Sequence, residues 1–141
     1  MNRVCRPSYS SSRALASAVS GPSALGTRYR ALITPQTSST ERQRLRRGGI
    51  RGLRLNFETF GITDPQTAID RFRLASKVAA EQEWHIQINT RLPIVEALAK
   101  HILSGDVTVV FDHFAQAQPA LGVGQPGFAA LVPCSRQAAH T

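Results

Sequence analysis

The chain has 141 residues, of which 42% are hydrophobic and 18% are charged, so it can form one globular domain and is too short for two. Lys and Arg number 17 against 9 acidic residues, but this excess is unevenly distributed. Residues 1–40 hold five arginines and no acid, whereas residues 41–132 hold eleven basic and nine acidic residues. The folded part is therefore close to neutral, which argues against a nucleic-acid partner.

Cysteine usage indicates a reducing compartment, and hydropathy gives no sign of a membrane span. Only Cys5 and Cys134 occur, near opposite ends and in segments that read as irregular, which excludes a disulfide framework and a CxxC metal site. No apolar run approaches the roughly 18 to 20 residues that a membrane span needs. We therefore expect a soluble, cytoplasmic protein with no membrane partner.

The two ends of the chain differ in composition from its middle. Residues 1–28 are rich in Ser, Arg and Ala and show no sustained helical or strand period, which predicts a disordered or irregular tail. A transit peptide is the alternative, although Gly21 and Pro22 interrupt the amphipathic helix that such a peptide needs. We predict a folded unit over residues 29–132 and an irregular tail over residues 133–141.

Short apolar runs alternate with longer helical segments from residue 29 onward. Strands are predicted at residues 30–34, 50–56, 84–90 and 107–113. Helices are predicted after N-cap candidates at residues 38–40, after Asp64 and from Pro93, and a last one begins in GFAALV. Single helices between strands imply parallel neighbours and hence an α/β fold. A doubly wound sheet and a (β/α)8 barrel both fit this order, and length favours the former because a barrel needs about 250 residues.

Polar side chains gather on one face of the predicted strands, towards their carboxyl ends. Alternation places Arg54 with Asn56 on the second strand and Gln87 with Asn89 on the third, while His113 closes the fourth. A sheet covered by helices on both faces would have to bury these groups without water. A barrel mouth instead leaves such groups beside an active site.

Four sequence blocks carry a resemblance to a known family. They are ALITPQTS, GIRGLRLNF, WHIQI and VVFDHF, in this order and spacing. Together they resemble the amidohydrolase-related metal-dependent hydrolases, in particular the branch similar to 2-pyrone-4,6-dicarboxylate lactonase. The resemblance implies a partial (β/α)8 barrel of about four βα units, equivalent to strands three to six. It also implies hydrolysis of a lactone or similar cyclic small-molecule substrate that bears carboxylates.

Site roles follow from the same resemblance. His113 would be catalytic, polarising a carbonyl or orienting water, and the alternative is a hydrogen-bonded histidine at a strand end. Arg54 and Asn56 would bind substrate, since a guanidinium matches a carboxylate, and the alternative is an arginine solvated at the barrel rim. Gln87 and Asn89 would line the site.

Two neighbouring charged residues receive other roles. Asp112 is expected to orient the strand end or the adjacent backbone rather than to act as a base. Arg91 lies just beyond the third strand, where a solvated loop arginine is favoured over a place in a carboxylate site.

The sequence departs from the family's pattern at both ends. No His-x-His pair occurs, so the ligands that bind a divalent metal in the wider family are not visible, and we expect no metal and no other cofactor. After Val132 the chain runs PCSRQAAHT, where the family continues towards a further strand. This pattern is typical of a truncated or frame-shifted product. Two functions stay open: a hydrolase, inactive if truncation removes half of its site, and a non-catalytic fragment or oligomeric binding module.

A half barrel would leave its outer strands, at residues 30–34 and 107–113, without neighbours. Inward side chains such as Leu32 or Ile33, Val109 and Phe111 would then form an exposed apolar patch. We therefore predict a homo-oligomer, or aggregation, through these edges. The basic run at residues 41–47 lacks aromatic residues, and it is predicted to be a solvated helix face rather than a nucleic-acid site.

Overall fold

The computed structural model of the protein describes residues 29–31 and 37–136. The strands are β1 (Tyr29–Ala31), β2 (Ile50–Asn56), β3 (His85–Asn89) and β4 (Val109–Phe111). The helices are α1 (Ser39–Arg47), α2 (Pro65–Gln82), α3 (Leu92–Leu103) and α4 (Phe128–Arg136). Two short 3-10 segments, Asp112–Gln116 and Pro119–Gly124, lie between β4 and α4.

Helix boundaries follow the capping signals in the sequence. The Ser38 side chain accepts a hydrogen bond from the Glu41 N–H and begins α1, and Asp64 does the same for Thr67 at the start of α2. Helix α2 ends at Gln82, and the next residue, Glu83, takes the left-handed conformation common at helix ends. The three predicted helices between the strands are therefore confirmed, with boundaries within a few residues of those expected.

All four strands are parallel and lie side by side in chain order. The register pairs Leu53 with Ile86 and Arg54 with Gln87, so equivalent side chains point to the same face of the sheet. Doubly wound sheets reverse their strand order, whereas a barrel keeps it sequential with every crossover helix on the same side. The predicted α/β fold with parallel strands is confirmed, and the sequential order is that of a barrel segment.

The hydrophobic core lies between one face of the sheet and helices α2 and α3. One row of paired residues, Leu53, Ile86 and Val109, is almost completely buried there. The expectation that Val109 and Phe111 point inward was therefore wrong, because the register places both on the helix-covered face. Its neighbour Val110 lies on the opposite face and is 40% exposed.

The structure differs from the predicted elements at the end of the sheet. Strand β4 ends at Phe111, two residues before the predicted end, because His113 and the three residues after it adopt positive φ angles of 50–55°. Helix α4 extends to Arg136, so the first four residues of the predicted C-terminal tail are helical. Cys134, expected in an irregular segment, is a buried free cysteine of that helix.

Some predictions concern parts of the chain that the structure does not describe. The tail at residues 1–28, most of the first predicted strand with Leu32 and Ile33, and residues 137–141 lie outside the described residues. Within the described residues, no helix has the length and apolar character needed to cross a membrane. Arginines of the basic run at residues 41–47 pair with acids: Arg44 with Glu41, and Arg46 with Glu83.

Candidate functional site

The face of the sheet opposite the core carries a ladder of polar side chains. We call the following residues the polar ladder: Arg54, Asn56 and Glu58 on β2 and the turn after it, Gln87, Asn89 and Arg91 on β3 and the start of α3, and Asp112 after β4. Successive members are two residues apart, the strand period that keeps side chains on one face. The ladder therefore rises towards the carboxyl ends of the strands, where (β/α)8 barrels place their active sites.

The deepest rung is a closed triangle of three side chains. Arg54 Nη1 donates to Gln87 Oε1 at 3.2 Å, and Gln87 Nε2 donates in turn to Asp112 Oδ1. Arg54 Nη2 lies 2.8 Å from Asp112 Oδ2, an ion pair without hydrogen-bond geometry. Gln87 is 6% exposed and the Asp112 side chain 11%, whereas the Arg54 side chain is 33% exposed. The guanidinium is thus held by two largely buried side chains and remains partly exposed to solvent.

The middle rung is a pair of amides. Asn89 Nδ2 donates to Asn56 Oδ1 at 2.9 Å, and the Thr59 N–H donates to the same oxygen at 3.2 Å. The Asn89 backbone carbonyl accepts from the N–H groups of Phe57 and Glu58, at 2.9 and 3.2 Å. These bonds tie the turn after β2 to the end of β3 and hold the Asn56 side-chain oxygen in place, whereas the buried Asn89 Oδ1 has no hydrogen-bond partner among the described residues.

The outermost rung is an ion pair at the rim. Arg91 contacts both carboxylate oxygens of Glu58, with Nε 2.8 Å from Oε2 and Nη2 against Oε1. The hydrogen bond to Glu58, and secondarily its charge, raise the pKa of Arg91 above the ordinary value of a guanidinium. The pair joins the loop after β2 to the start of α3, so Arg91 is partnered although its side chain is largely exposed.

The lower end of the ladder is closed by an imidazole over a glycine. A Cβ atom added at Gly52 would clash with ring atoms of His85, its register partner on β3. The His85 ring therefore lies over the Gly52 backbone, towards the amino ends of the strands from the polar ladder.

His113 stands outside the ladder. It begins a turn, His113 to Gln116, in which four consecutive L-residues have positive φ angles, a conformation unfavourable for each of them. Its side chain is exposed, and no hydrogen bond or ion pair of the described residues joins it to the triangle. The buried Ala115 packs against Leu92 and Leu131 and holds the turn on the protein.

The described residues do not supply a metal site. No group of three or more His, Cys, Asp or Glu side chains within them is placed to hold a metal ion, and divalent metals bound by proteins usually need at least three such ligands. Cys134 is no candidate ligand either, since burial raises the pKa of its thiol and favours the protonated form.

The structure brings together four of the five predicted site residues. Arg54 contacts Gln87, Asn56 contacts Asn89, and both pairs lie on one face, whereas His113 has no contact with either pair. Arg54 is not the simply solvated rim arginine of the alternative interpretation.

Sequence reasoning missed the part that Asp112 plays in this site. The carboxylate contacts two side chains of the ladder, where only an effect on the strand end or the adjacent backbone was expected. Its position two residues after Val110, on the ladder's face, was the available signal.

Comparison with known proteins places this geometry in context. A family model described as Amidohydrolase matches residues 2–140. A solved structure, that of a probable 2-pyrone-4,6-dicarboxylic acid hydrolase from Acinetobacter baumannii with citric acid bound, is similar in fold with a TM-score of 0.62 and 21% sequence identity. The similarity covers 76% of this chain and 39% of the Acinetobacter chain, so this chain spans less than half of that protein. No curated protein matches the chain.

Proposed function

Because the chain belongs to the amidohydrolase family, we propose that its polar ladder is the carboxylate-binding part of a hydrolase acting on lactones or similar cyclic small molecules. The observation that carries this proposal is the Arg54 guanidinium, which Gln87 and Asp112 hold while its side chain stays 33% exposed. A preorganised guanidinium with free N–H groups is a suitable partner for a substrate carboxylate.

The middle rung supports the same assignment. Asn56 and Asn89 lie one rung above Arg54, where their amides can bind the ring carbonyl or ring oxygen of a bound carboxylated lactone. The fold neighbour is called a hydrolase of a dicarboxylic acid and holds citric acid, a tricarboxylate. Both compounds carry the group that Arg54 is suited to bind.

The reaction that we assign is addition of water to the cyclic ester. The water oxygen bonds to the carbonyl carbon, the ring carbon–oxygen bond breaks, and one water proton ends on the released ring oxygen. His113 is our candidate for orienting the water or polarising the carbonyl. Its exposed place on a strained turn next to Asp112 favours such a role, since strained backbone concentrates at functional sites.

The test is turnover of 2-pyrone-4,6-dicarboxylate, followed by its ultraviolet absorbance. We expect Arg54→Ala to raise KM by about tenfold or more, since charge-assisted hydrogen bonds contribute about 1.5–3 kcal/mol. We expect His113→Ala to lower kcat. Arg51→Ala, which removes a guanidinium from the helix-side face of β2, and His101→Ala, in α3, are the matched controls. Equal turnover by His113→Ala and the unaltered chain would refute the catalytic assignment.

A second function is favoured by the open sheet edge. Strand β4 has a neighbour only in β3 among the described strands, and Val110 within β4 is exposed. This supports an oligomeric binding module that holds a carboxylate without hydrolysing it. Binding of 2-pyrone-4,6-dicarboxylate without turnover would separate this function from the hydrolase. We also propose a reducing compartment such as the cytoplasm, in keeping with the free thiol of Cys134.

A further inference from the structure

We propose that Asp112 is a positioning residue, which holds the Arg54 guanidinium in the orientation that receives a substrate carboxylate. The inference rests on the proposed function, because it names how that same site is kept ready. Its basis is the contact of one carboxylate with both other members of the triangle.

The geometry leaves Arg54 little freedom. Gln87 Oε1 accepts a hydrogen bond from one terminal nitrogen of the guanidinium, and Asp112 Oδ2 lies 2.8 Å from the other. Gln87 cannot turn away, because its own Nε2 donates to Asp112 Oδ1 and its side chain is buried. Two points of contact on a planar group fix its plane as well as its place.

The backbone places Asp112 firmly enough to do this. It follows β4 directly, and the left-handed turn that begins at His113 is anchored by the buried Ala115. The carboxylate is therefore presented from a fixed strand end rather than from a mobile loop. Glu58 and Arg91, the other acid–arginine pair of the ladder, lie nearer the surface, and the Arg91 side chain is 64% exposed.

Charge alone would have the opposite effect on binding. A carboxylate beside Arg54 repels an incoming carboxylate, so a purely electrostatic role predicts tighter binding when Asp112 is replaced. A positioning role predicts weaker binding on Asp112→Ala. It also predicts partial rescue by Asp112→Asn, whose oxygen can still accept the hydrogen bond from Gln87.

The experiment measures binding of 2-pyrone-4,6-dicarboxylate by calorimetry. We expect Asp112→Ala to weaken binding by about tenfold and Asp112→Asn by less, and we expect no further loss when Asp112→Ala is added to Arg54→Ala. Asp106→Asn, an exposed aspartate of the loop before β4, is the control. Tighter binding by both Asp112 variants, or an equal loss in the Arg54→Ala background, would overturn the proposal.

A second readout does not need the ligand. The side-chain Nε–H of Arg54, followed by NMR relaxation, should be ordered in the unaltered chain and mobile in Asp112→Ala, with the Arg51 signal unchanged. An Arg54 signal equally ordered in both forms would refute positioning even if the variant binds poorly. Absence of any binding by the unaltered chain would instead count against the proposed function, and the NMR comparison would still decide the role of Asp112.

Discussion

Single residues on the two faces of β2 decide what each face of the sheet can do. Leu53 points into the core and Arg54 points to the ladder, although they are neighbours in the chain. The alternation could be predicted from the sequence, and it placed Arg54 with Asn56 and Gln87 with Asn89 on common faces. The partners of these residues could not be predicted, because the register between strands depends on packing of the whole sheet. The contact of Asp112 with Arg54 therefore became evident only from the structure.

The close contact between Gly52 and His85 predicts a coupled pair of substitutions. Gly52→Ala should lower the free energy of unfolding by about 1–3 kcal/mol, because the added Cβ forces the His85 ring from its place. His85→Ala in the same chain should restore much of that loss. Urea denaturation of both variants measures it, and Gly124→Ala, where nothing lies near the added atom, is the control. Additive losses in the double variant would show that the ring does not lie over Gly52.

The elements of the fold show where sequence signals were sufficient and where they failed. Strand β2 and the start of α2 were predicted closely, because β-branched and apolar alternation and an Asp-Pro cap have direct physical causes. The predicted end of β4 was wrong, because the strand stops at Phe111. The residues from His113 to Gln116 include no Gly or Asn, so nothing in their identity indicates a left-handed turn.

The left-handed turn predicts a stabilising substitution. Phe114 is 78% exposed at φ 50°, so Phe114→Gly relieves an unfavourable backbone conformation and loses little burial. We expect the free energy of unfolding to rise by about 1 kcal/mol. The exposed Leu121 lies outside the positive-φ residues, so Leu121→Gly should destabilise. Equal losses in both variants would contradict the strain assigned to the turn.

The start of α2 predicts a dependence of stability on pH. The side-chain hydroxyl of Thr67, and then its backbone N–H, hold the pKa of Asp64 below its ordinary value of 3.8. Because the folded pKa is depressed, this contribution to stability is present above pH 3.8 and is lost as the pH falls through the folded pKa. The stability difference between the unaltered chain and Asp64→Asn should therefore shrink in acid. A difference that stays constant from pH 7 to pH 2 would contradict it.

The described residues of the molecule contain one four-stranded parallel sheet. Its two edge strands are β1 and β4. A closed barrel has no edges, and the chain spans less than half of its fold neighbour. Fold class and strand order could be predicted because βα alternation allows few topologies. Which side chains are exposed at the open edge could not be predicted, because a shift of one residue in the strand register exchanges the faces of Val109 and Val110.

The open edge of the sheet predicts self-association of the chain. We expect the chain to dimerise or aggregate through β4 as its concentration rises, and Val110→Lys to reduce this, because a charge on an edge strand opposes pairing. Size-exclusion chromatography with light scattering measures the mass, with the exposed Val132→Lys on α4 as control. A monomer at high concentration in both the unaltered chain and the variant would contradict the expectation.

Binding of a carboxylate by the polar ladder through Arg54 can be measured by an NMR titration of the isotope-labelled chain with 2-pyrone-4,6-dicarboxylate. We expect shifts of the Arg54 Nε–H and of the Gln87 and Asn89 side-chain amides, saturating together and absent in Arg54→Ala. The Arg51 Nε–H, on the other face of β2, should not move. Shifts confined to other parts of the chain, or shifts that persist in Arg54→Ala, would show that Arg54 does not bind the carboxylate.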